Sequence, residues 1–160
     1  IKCHVSNRDR IRALHLSSEE YIVIGGAVLD FLGIRETNDV DLVVSKDVYK
    51  LLNANNWKEY IQDDGKKLLS RSGYKIMLSW MGKSLSDLQK SAVEVDGIPL
   101  MGLSDLVDCK TQLGRKKDLK DIASIIEYEA NTFGKLSVHV DPAVVLAHYP
   151  QYYKHIQRKL

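Results

Sequence analysis

Two aspartates separated by one residue, Asp39 and Asp41, have the side-chain type and spacing best suited to metal chemistry. Successive side chains of a β-strand point to opposite faces, so in a strand both carboxylates project on one side. At about 7 Å they repel each other by roughly 2 kcal/mol at an effective dielectric near 20. Carboxylate oxygens suit Mg²⁺ or Mn²⁺, which proteins commonly hold with a few carboxylates plus substrate phosphates. The pair therefore predicts a Mg²⁺ (or Mn²⁺) site, with a solvated strand end as the alternative.

A glycine pair, Gly25-Gly26, precedes the acids and closes an apolar run. A backbone that approaches a triphosphate closely must lack side chains at the contact, and glycine also reaches positive φ. The apolar spacing after the pair predicts a helix, whose free first-turn amides and dipole favour phosphate oxygens. An ordinary tight turn is the alternative. Because the acidic pair begins thirteen residues after Gly26, the combination favours phosphate binding.

The segment from Tyr21 to Ser45, YIVIGGAVLDFLGIRETNDVDLVVS, resembles the signature of the DNA polymerase β-like nucleotidyltransferase superfamily. Its order is Gly-Gly, a short helix, then Arg-x-Thr-x-Asp-Val-Asp-Leu. Residues 106–122, LVDCKTQLGRKKDLKDI, are similar to the helical C-terminal half of small bacterial nucleotidyltransferases, including those related to type IV abortive-infection toxins. The resemblance runs from about Tyr21 to Glu129, and its first motif is the more specific.

The resemblance implies a transfer of a nucleoside monophosphate from an NTP such as ATP to an acceptor hydroxyl, with two-metal catalysis. Gly25 and Gly26 match the family's phosphate-contacting glycines, and Asp39 and Asp41 match its catalytic, metal-holding acids. The acceptor stays open among an RNA end, a protein and a small molecule. A cognate antitoxin-like partner, as in toxin–antitoxin pairs, is a further implied partner.

Four more polar residues are candidates for nucleotide binding. Arg35 and Thr37 match the family's Arg-x-Thr and are expected to touch phosphate, with a solvated loop as the alternative. Lys110 matches a lysine that reaches the nucleotide or acceptor in similar proteins, against a plain helix-surface lysine. Arg115 and the two lysines after it lie between two predicted helices and are expected to bind triphosphate or an RNA backbone, with a solvated loop as the alternative. Asp118 is predicted to cap the following helix.

The chain departs from the family at its third carboxylate, which completes the metal site from a later strand. The strand Tyr74–Trp80 is expected there, and Met77 is predicted to occupy the slot of the acid; a thioether neither acts as a base nor binds magnesium well. Another group, such as Asp63 or Asp64, would then have to activate the nucleophile. The alternative is a catalytically degenerate nucleotide-binding or partner-binding module. A weaker alternative is an RNA-binding domain that uses the basic loop and the segment YYKHIQRK.

Composition limits the size and setting of the protein. The 160 residues, 44% of them hydrophobic, predict one compact domain with a core of about 21–103 and a helical C-terminal part of about 104–160. A net charge of +2 is too mild to demand nucleic acid. The two cysteines lack metal-type spacing, and no signal peptide or membrane span is evident. The expectation is a cytoplasmic protein without a membrane partner.

The elements that position these residues predict an α+β fold, a mixed β-sheet flanked by helices, because strands come first and helices later. Predicted strands are Tyr21–Ile24, Val40–Val44, a β region from Trp57 to Trp80 with turns at Asp64-Gly65 and Gly73, and a hairpin at Asp96-Gly97 with Pro99 on an edge strand. The predicted helices of the first part are one that ends at about Leu16, one that Gly33 ends, one that Ser45 caps and the segment Ser84–Lys90; the apolar face of the third comprises Val48, Leu51 and Leu52. In the C-terminal part, helices are predicted from Ser104 to Gly114, from Asp118 to about Ala130 and from Asp141-Pro142 onward.

Overall fold

The computed structural model of the chain describes residues 5–138 and 140–155. The chain divides into two compact units, Ile1–Gly102 and Leu103–Leu160. All nine strands found among the described residues lie in the first unit, and the second is helical. The two units meet between residues 102 and 103, one residue before the boundary predicted between the core and the C-terminal part. That the chain forms a single domain stays a prediction.

A seven-stranded mixed sheet forms the centre of the first unit, in the order β3-β4-β5-β2-β1-β9-β8. β1 is parallel to β9 and β2 to β5, and the other neighbouring pairs are antiparallel. The α+β class with a mixed sheet flanked by helices is therefore confirmed. The strands are β1 (Tyr21–Ile24), β2 (Val40–Val44), β3 (Lys58–Ile61), β4 (Lys67–Arg71), β5 (Tyr74–Met77), β8 (Val93–Val95) and β9 (Ile98–Leu100), with β6 (Ser79–Trp80) and β7 (Lys83–Ser84) as a separate two-stranded sheet.

The two central strands carry the apolar core. All four side chains of β1 are buried, and so are four of the five in β2, where Asp41 is the half-buried exception. β-branched residues pack well on a pleated surface, which explains why these short Val- and Ile-rich runs form strands. At the edge of the sheet, β3 instead has all four side chains exposed, including Ile61 at 72%.

Tight turns set the strand boundaries. Asp96-Gly97 and Ser72-Gly73 both have positive φ at their two central residues, as two-residue hairpin turns require. The predicted strand to Trp80 is too long, since β5 ends at Met77 and a short β6–β7 hairpin follows.

Pro99 does not lie on an edge strand as predicted. β9 is flanked by β1 and β8, but its pairing with β1 is at Leu100, one residue beyond the proline.

The described residues of the first unit, from 5 to 102, form four short helices: α1 (Asn7–Arg12), α2 (Gly26–Phe31), α3 (Lys46–Ala54) and α4 (Leu85–Gln89). Ser45 caps α3 through Val48 N–H, as predicted, and Ser84 forms a capping box with Asp87 at the start of α4. α1 ends before the predicted Leu16. Leu51 was expected on the buried face of α3 but is 57% exposed, and Tyr49 is buried instead.

The second unit contains α5 (Leu103–Leu113), α6 (Lys116–Phe133), α7 (Pro142–His148) and a 3₁₀ turn (Pro150–His155). α5 begins one residue before its predicted cap, Ser104, and Asp141 caps α7 as predicted. The apolar core of this unit comprises Ile122, Ile126, Ala130, Leu136, Val145 and Tyr149. In the part of the chain that the structure describes, no helix has the length and apolar character needed to cross a membrane.

Candidate functional site

The glycine bend and the second aspartate meet at the junction of β1 and β2. Ile24 pairs with Asp41 across the two antiparallel strands, so Gly25, which follows Ile24, reaches the acid. A Cβ built on Gly25 would lie 3.4 Å from Asp41 Oδ2. Gly25 has φ 67° and ψ −146°, a backbone region used almost only by glycine. The bend therefore brings bare backbone against the carboxylate.

Asp41 combines partial burial with an unsatisfied carboxylate oxygen. Its Oδ1 is shielded from solvent and has no hydrogen-bond partner within the described residues. Burial raises the pKa of Asp41; the positive charge of Lys75 lowers it and the negative charge of Asp39 raises it again. A buried polar atom left unsatisfied costs about 1–3 kcal/mol. Since a divalent cation would satisfy this oxygen, the residues present fit a metal ion held in part by substrate phosphates.

Asp39 lies one residue before β2 and is exposed. Its amide donates to Thr37 Oγ1 at 3.4 Å, and the next amide, Val40 N–H, donates to Gly73 O at 2.9 Å. The charge of Asp39 acts on Asp41, so the two predicted ligands are close enough to interact. Asp39 can therefore contribute a solvent-facing oxygen beside the buried one.

A hydrogen-bonded brace holds the loop in front of the acids, and nothing in the sequence pattern singled it out. Asn7 Nδ2 donates to Asp30 Oδ2 at 2.7 Å and to Thr37 O at 2.9 Å. Asp30 Oδ2 also accepts Thr37 N–H at 3.3 Å. Thr37, a predicted phosphate contact, thus has its backbone and hydroxyl engaged in shaping the loop that presents Asp39.

Arg10 is a second positioning residue, and no sequence pattern marks it. It donates to Asn38 O at 2.6 Å and to Ser72 O at 2.7 Å. Its guanidinium lies 4.6 Å from the centre of the Tyr74 ring, a cation–π distance. Arg10 therefore joins the residue before Asp39 to the turn that begins β5.

Arg35 lies next to the glycine pair. Its Nη2 is 3.0 Å from the position of a Cβ built on Gly26, so an alanine there would crowd the guanidinium. Arg35 is itself exposed and also donates to Glu36 O at 3.3 Å. α2 has only six residues, so its dipole is small. Phosphate binding at this bend would depend mainly on the open glycine backbone and the charge of Arg35.

The strand position beside Asp41 differs from the prediction. In the parallel pairing of β2 and β5, Asp41 is opposite Lys75, while Met77 is opposite Val43. Met77 is buried and lies two pairs further along the sheet. The prediction that Met77 fills the slot beside the acidic pair is therefore wrong, because β5 pairs with β2 in a register two residues away from the expected one. A lysine occupies that slot.

The predicted cations of the second unit belong to an ion-pair network there. Lys110 Nζ lies 2.7 Å from Asp121 Oδ2 and 3.5 Å from Asp118 Oδ1, and the Lys110 side chain is 7% exposed. Arg115 Nε donates to Asp118 Oδ2 at 2.6 Å. The Arg115 side chain is half-exposed, whereas that of Asp118 is buried. Both cations thus have structural partners, and their nucleotide-binding roles stay predictions.

Asp118 stabilises the start of α6 but does not occupy the N-cap position. The prediction that it caps this helix is therefore wrong. Asp118 is the third helical residue, and its Oδ2 accepts the backbone N–H of Arg115, which occupies the cap position. Burial acts to raise the pKa of Asp118, but hydrogen bonds from Arg115 and the charges of Lys110 and Arg115 outweigh it and lower that pKa.

Two further groups of residues were predicted as alternatives. Asp63 and Asp64 are exposed in the β3–β4 turn, where Asp64 Oδ1 accepts Lys66 N–H. The basic segment YYKHIQRK extends beyond residue 155, and its last part lies outside the described residues. Over residues 5–138 and 140–155, no three His, Cys, Asp or Glu side chains are grouped closely enough to hold a metal ion. The candidate site therefore offers two carboxylates, not three.

Comparisons of the chain with protein-family models, with curated proteins and with solved structures found no match.

Proposed function

We propose that the chain is a metal-dependent nucleotidyltransferase with a polymerase β-like fold. The observation that carries the proposal is the contact between the Gly25 bend and the Asp41 carboxylate, one of whose oxygens is buried without a partner. This geometry supplies a ligand for a cation and, within contact distance, a backbone without side chains. Both features favour binding of an NTP with Mg²⁺ or Mn²⁺.

The proposed reaction is an in-line displacement at phosphorus. The acceptor hydroxyl oxygen forms a bond to the α-phosphorus, the bond from that phosphorus to the α,β-bridging oxygen breaks, and pyrophosphate leaves with the electron pair. The hydroxyl proton passes to solvent or to a base on the acceptor. Positioning and charge stabilisation do most of the work in phosphoryl transfer. Bound Mg²⁺ would supply positive charge next to the phosphate oxygens.

Each residue of the site has a proposed part. Asp41 and Asp39 would hold the cation, and the backbone at Gly25 and Gly26 would lie along the phosphates. Arg35 would contact a phosphate oxygen from beside Gly26, where its guanidinium already lies. The acceptor is an RNA end, a protein or a small molecule, and ATP is one candidate NTP.

A second candidate function is a nucleotide-binding or partner-binding module without turnover, such as one member of a toxin–antitoxin-like pair. It is favoured by one observation: the β5 side chain beside Asp41 is Lys75 and not a third carboxylate. An ammonium group neither binds a metal ion nor, when protonated, accepts the acceptor's proton.

Labelled NTPs separate the two candidates. The protein is incubated with each α-labelled NTP, Mg²⁺ and a pool of RNA and protein acceptors, with Asp41→Asn as the test variant. The matched control is Asp47→Asn, an exposed acid at the opposite end of β2, in the first turn of α3. Label transfer lost only in Asp41→Asn supports the enzyme. Mg²⁺-dependent binding lost in Asp41→Asn, without any label transfer, supports the module, and binding that ignores Asp41 rejects both.

A further inference from the structure

A lysine lies where a third acid would complete the site. Lys75 and Asp41 are partners in the parallel pairing of β5 and β2, and neighbouring strands lie about 4.8 Å apart. Side chains of paired residues project on the same face of a sheet, so the ammonium group shares the face of the carboxylate. β4 lies on the other side of β5 and contributes Ser70 opposite Lys75.

Among the described residues, the ammonium group of Lys75 is not held in an ion pair. Lys75 is exposed, and among the described residues no carboxylate lies within ion-pair distance of its Nζ, although its charge acts on Asp41. Lys110, in contrast, is buried between two aspartates, and Lys67 lies 4.0 Å from Glu59. A flexible ammonium on an interior strand, beside a carboxylate but not bonded to it, is able to turn toward an anion.

The charge of the site follows from this substitution. With Asp39, Asp41 and Lys75 ionised, the three side chains carry a net charge of −1, whereas three carboxylates would carry −3. Two divalent cations close together need the stronger negative charge to offset their mutual repulsion. One divalent cation and one ammonium match the weaker charge.

We infer that Lys75 contacts phosphate in this site and that its ammonium group replaces a second divalent cation. This inference rests on the proposed function. The nucleotide complex of the chain then contains one divalent ion, held by Asp39, Asp41 and phosphate oxygens. Lys75 binds the triphosphate as a point charge.

Two binding measurements test the role of Lys75: the affinity for each of the four NTPs with Mn²⁺, and the number of Mn²⁺ ions bound per chain, counted by electron paramagnetic resonance. Wild type is expected to hold one ion in the nucleotide complex. Lys75→Gln should weaken triphosphate binding about tenfold or more, as loss of a charge-assisted contact implies, and should leave nucleoside binding unchanged. Lys75→Arg should retain most of the triphosphate affinity.

Lys75→Asp converts the slot into a third carboxylate, and it should raise the count to two Mn²⁺ ions per chain. The matched control is Lys67→Gln, which removes the same charge from the neighbouring strand β4, three residues from the partner of Lys75. Thermal unfolding of each variant shows whether it is folded, and Lys75→Gln carries the test if Lys75→Asp does not fold.

The outcomes are distinguishable from failure of the proposed function. One outcome overturns the inference about Lys75 but leaves the metal site standing: Asp41→Asn abolishes Mn²⁺–NTP binding, while Lys75→Gln binds the NTP as tightly as Lys67→Gln does. A count of two Mn²⁺ ions in the nucleotide complex of wild type has the same meaning. If wild type binds no NTP, or binds it independently of Asp41, the proposed function is overturned and the inference falls with it.

Discussion

Gly25 and Asp41 lie in contact across the β1–β2 pair, with 3.4 Å between Asp41 Oδ2 and the place where a Gly25 side chain would begin. Sixteen positions separate the two residues along the chain, and antiparallel pairing of Ile24 with Asp41 brings them together. The contact joins two features of the first motif that differ in chemical type, an acid and a bare backbone. Its removal should therefore affect folding and ligand binding in separable ways.

Gly25→Ala should lower the free energy of unfolding by about 1–3 kcal/mol, because the φ and ψ of this position are strained for any L side chain. It should also weaken Mg²⁺–NTP binding, since the methyl group meets Asp41. Gly33→Ala is the matched control: it too has positive φ, but nothing lies within 4 Å of its Cβ position. Equal NTP affinity in the two variants, measured by calorimetry, would show that the contact is structural only.

Asp41→Asn should stabilise the metal-free protein by about 1 kcal/mol at neutral pH, because it removes the charge of a half-buried carboxylate, one of whose oxygens has no hydrogen-bond partner among the described residues. Mg²⁺ and NTP together should raise the melting temperature of wild type, as any ligand of the folded state does. The same additions should leave the melting temperature of the variant unchanged. A variant that is both less stable and still responsive to Mg²⁺ would contradict the assignment.

Arg10→Ala should cost about 2 kcal/mol of stability through the loss of two hydrogen bonds to Asn38 O and Ser72 O. Because those bonds hold the loop before Asp39, metal affinity should fall as well. Arg12→Ala, on the same helix, removes a bond to Asp96 O and serves as control. Loss of stability in both variants with metal affinity retained in both would limit Arg10 to a folding role.

Lys110→Met should destabilise the protein by about 3–5 kcal/mol, since it removes the buried cation that lies 2.7 Å from Asp121 Oδ2 and 3.5 Å from Asp118 Oδ1. The exposed Lys116, at the first position of α6, gives the matched variant Lys116→Met, which should cost little. Urea unfolding measures both changes. If Lys110→Met instead leaves stability near wild type and selectively weakens NTP binding, the predicted nucleotide role of Lys110 is the correct one.

The stability that Asp118 provides should depend on pH in acid. Its pKa is lowered in the folded state, so its contribution is fully present above the unfolded pKa, about 3.9, and is lost as pH falls through the folded pKa. Asp118→Asn should therefore reduce stability at pH 7 and flatten the fall in stability below about pH 4. Acid titration of the far-ultraviolet circular dichroism, with exposed Asp108→Asn as control, measures the difference.

Much of the scaffold could be predicted because its signals are local. β1 and β2 are short apolar runs bounded by turn residues. Ser45 caps α3, and Asp141 caps α7. Their structures depend on neighbours within a few residues, which the sequence displays directly.

The rest depends on register and on contacts between distant segments. A shift of two residues in the pairing of β5 with β2 decides whether Lys75 or Met77 lies beside Asp41, and hydrophobic pattern alone does not distinguish the two. Likewise, Arg10 has no local feature that marks it, since its partners are backbone carbonyls 28 and 62 residues away.

The exposed edge strand β3 bears on how the protein behaves at high concentration. An unpaired edge invites strands of other molecules, and charged side chains along it oppose such addition. Lys58 and Glu59 occupy half of this four-residue edge, next to the exposed Ile61. Charge on β3 is thus expected to oppose edge-to-edge association, and a change of both residues to valine should increase the tendency of the protein to aggregate.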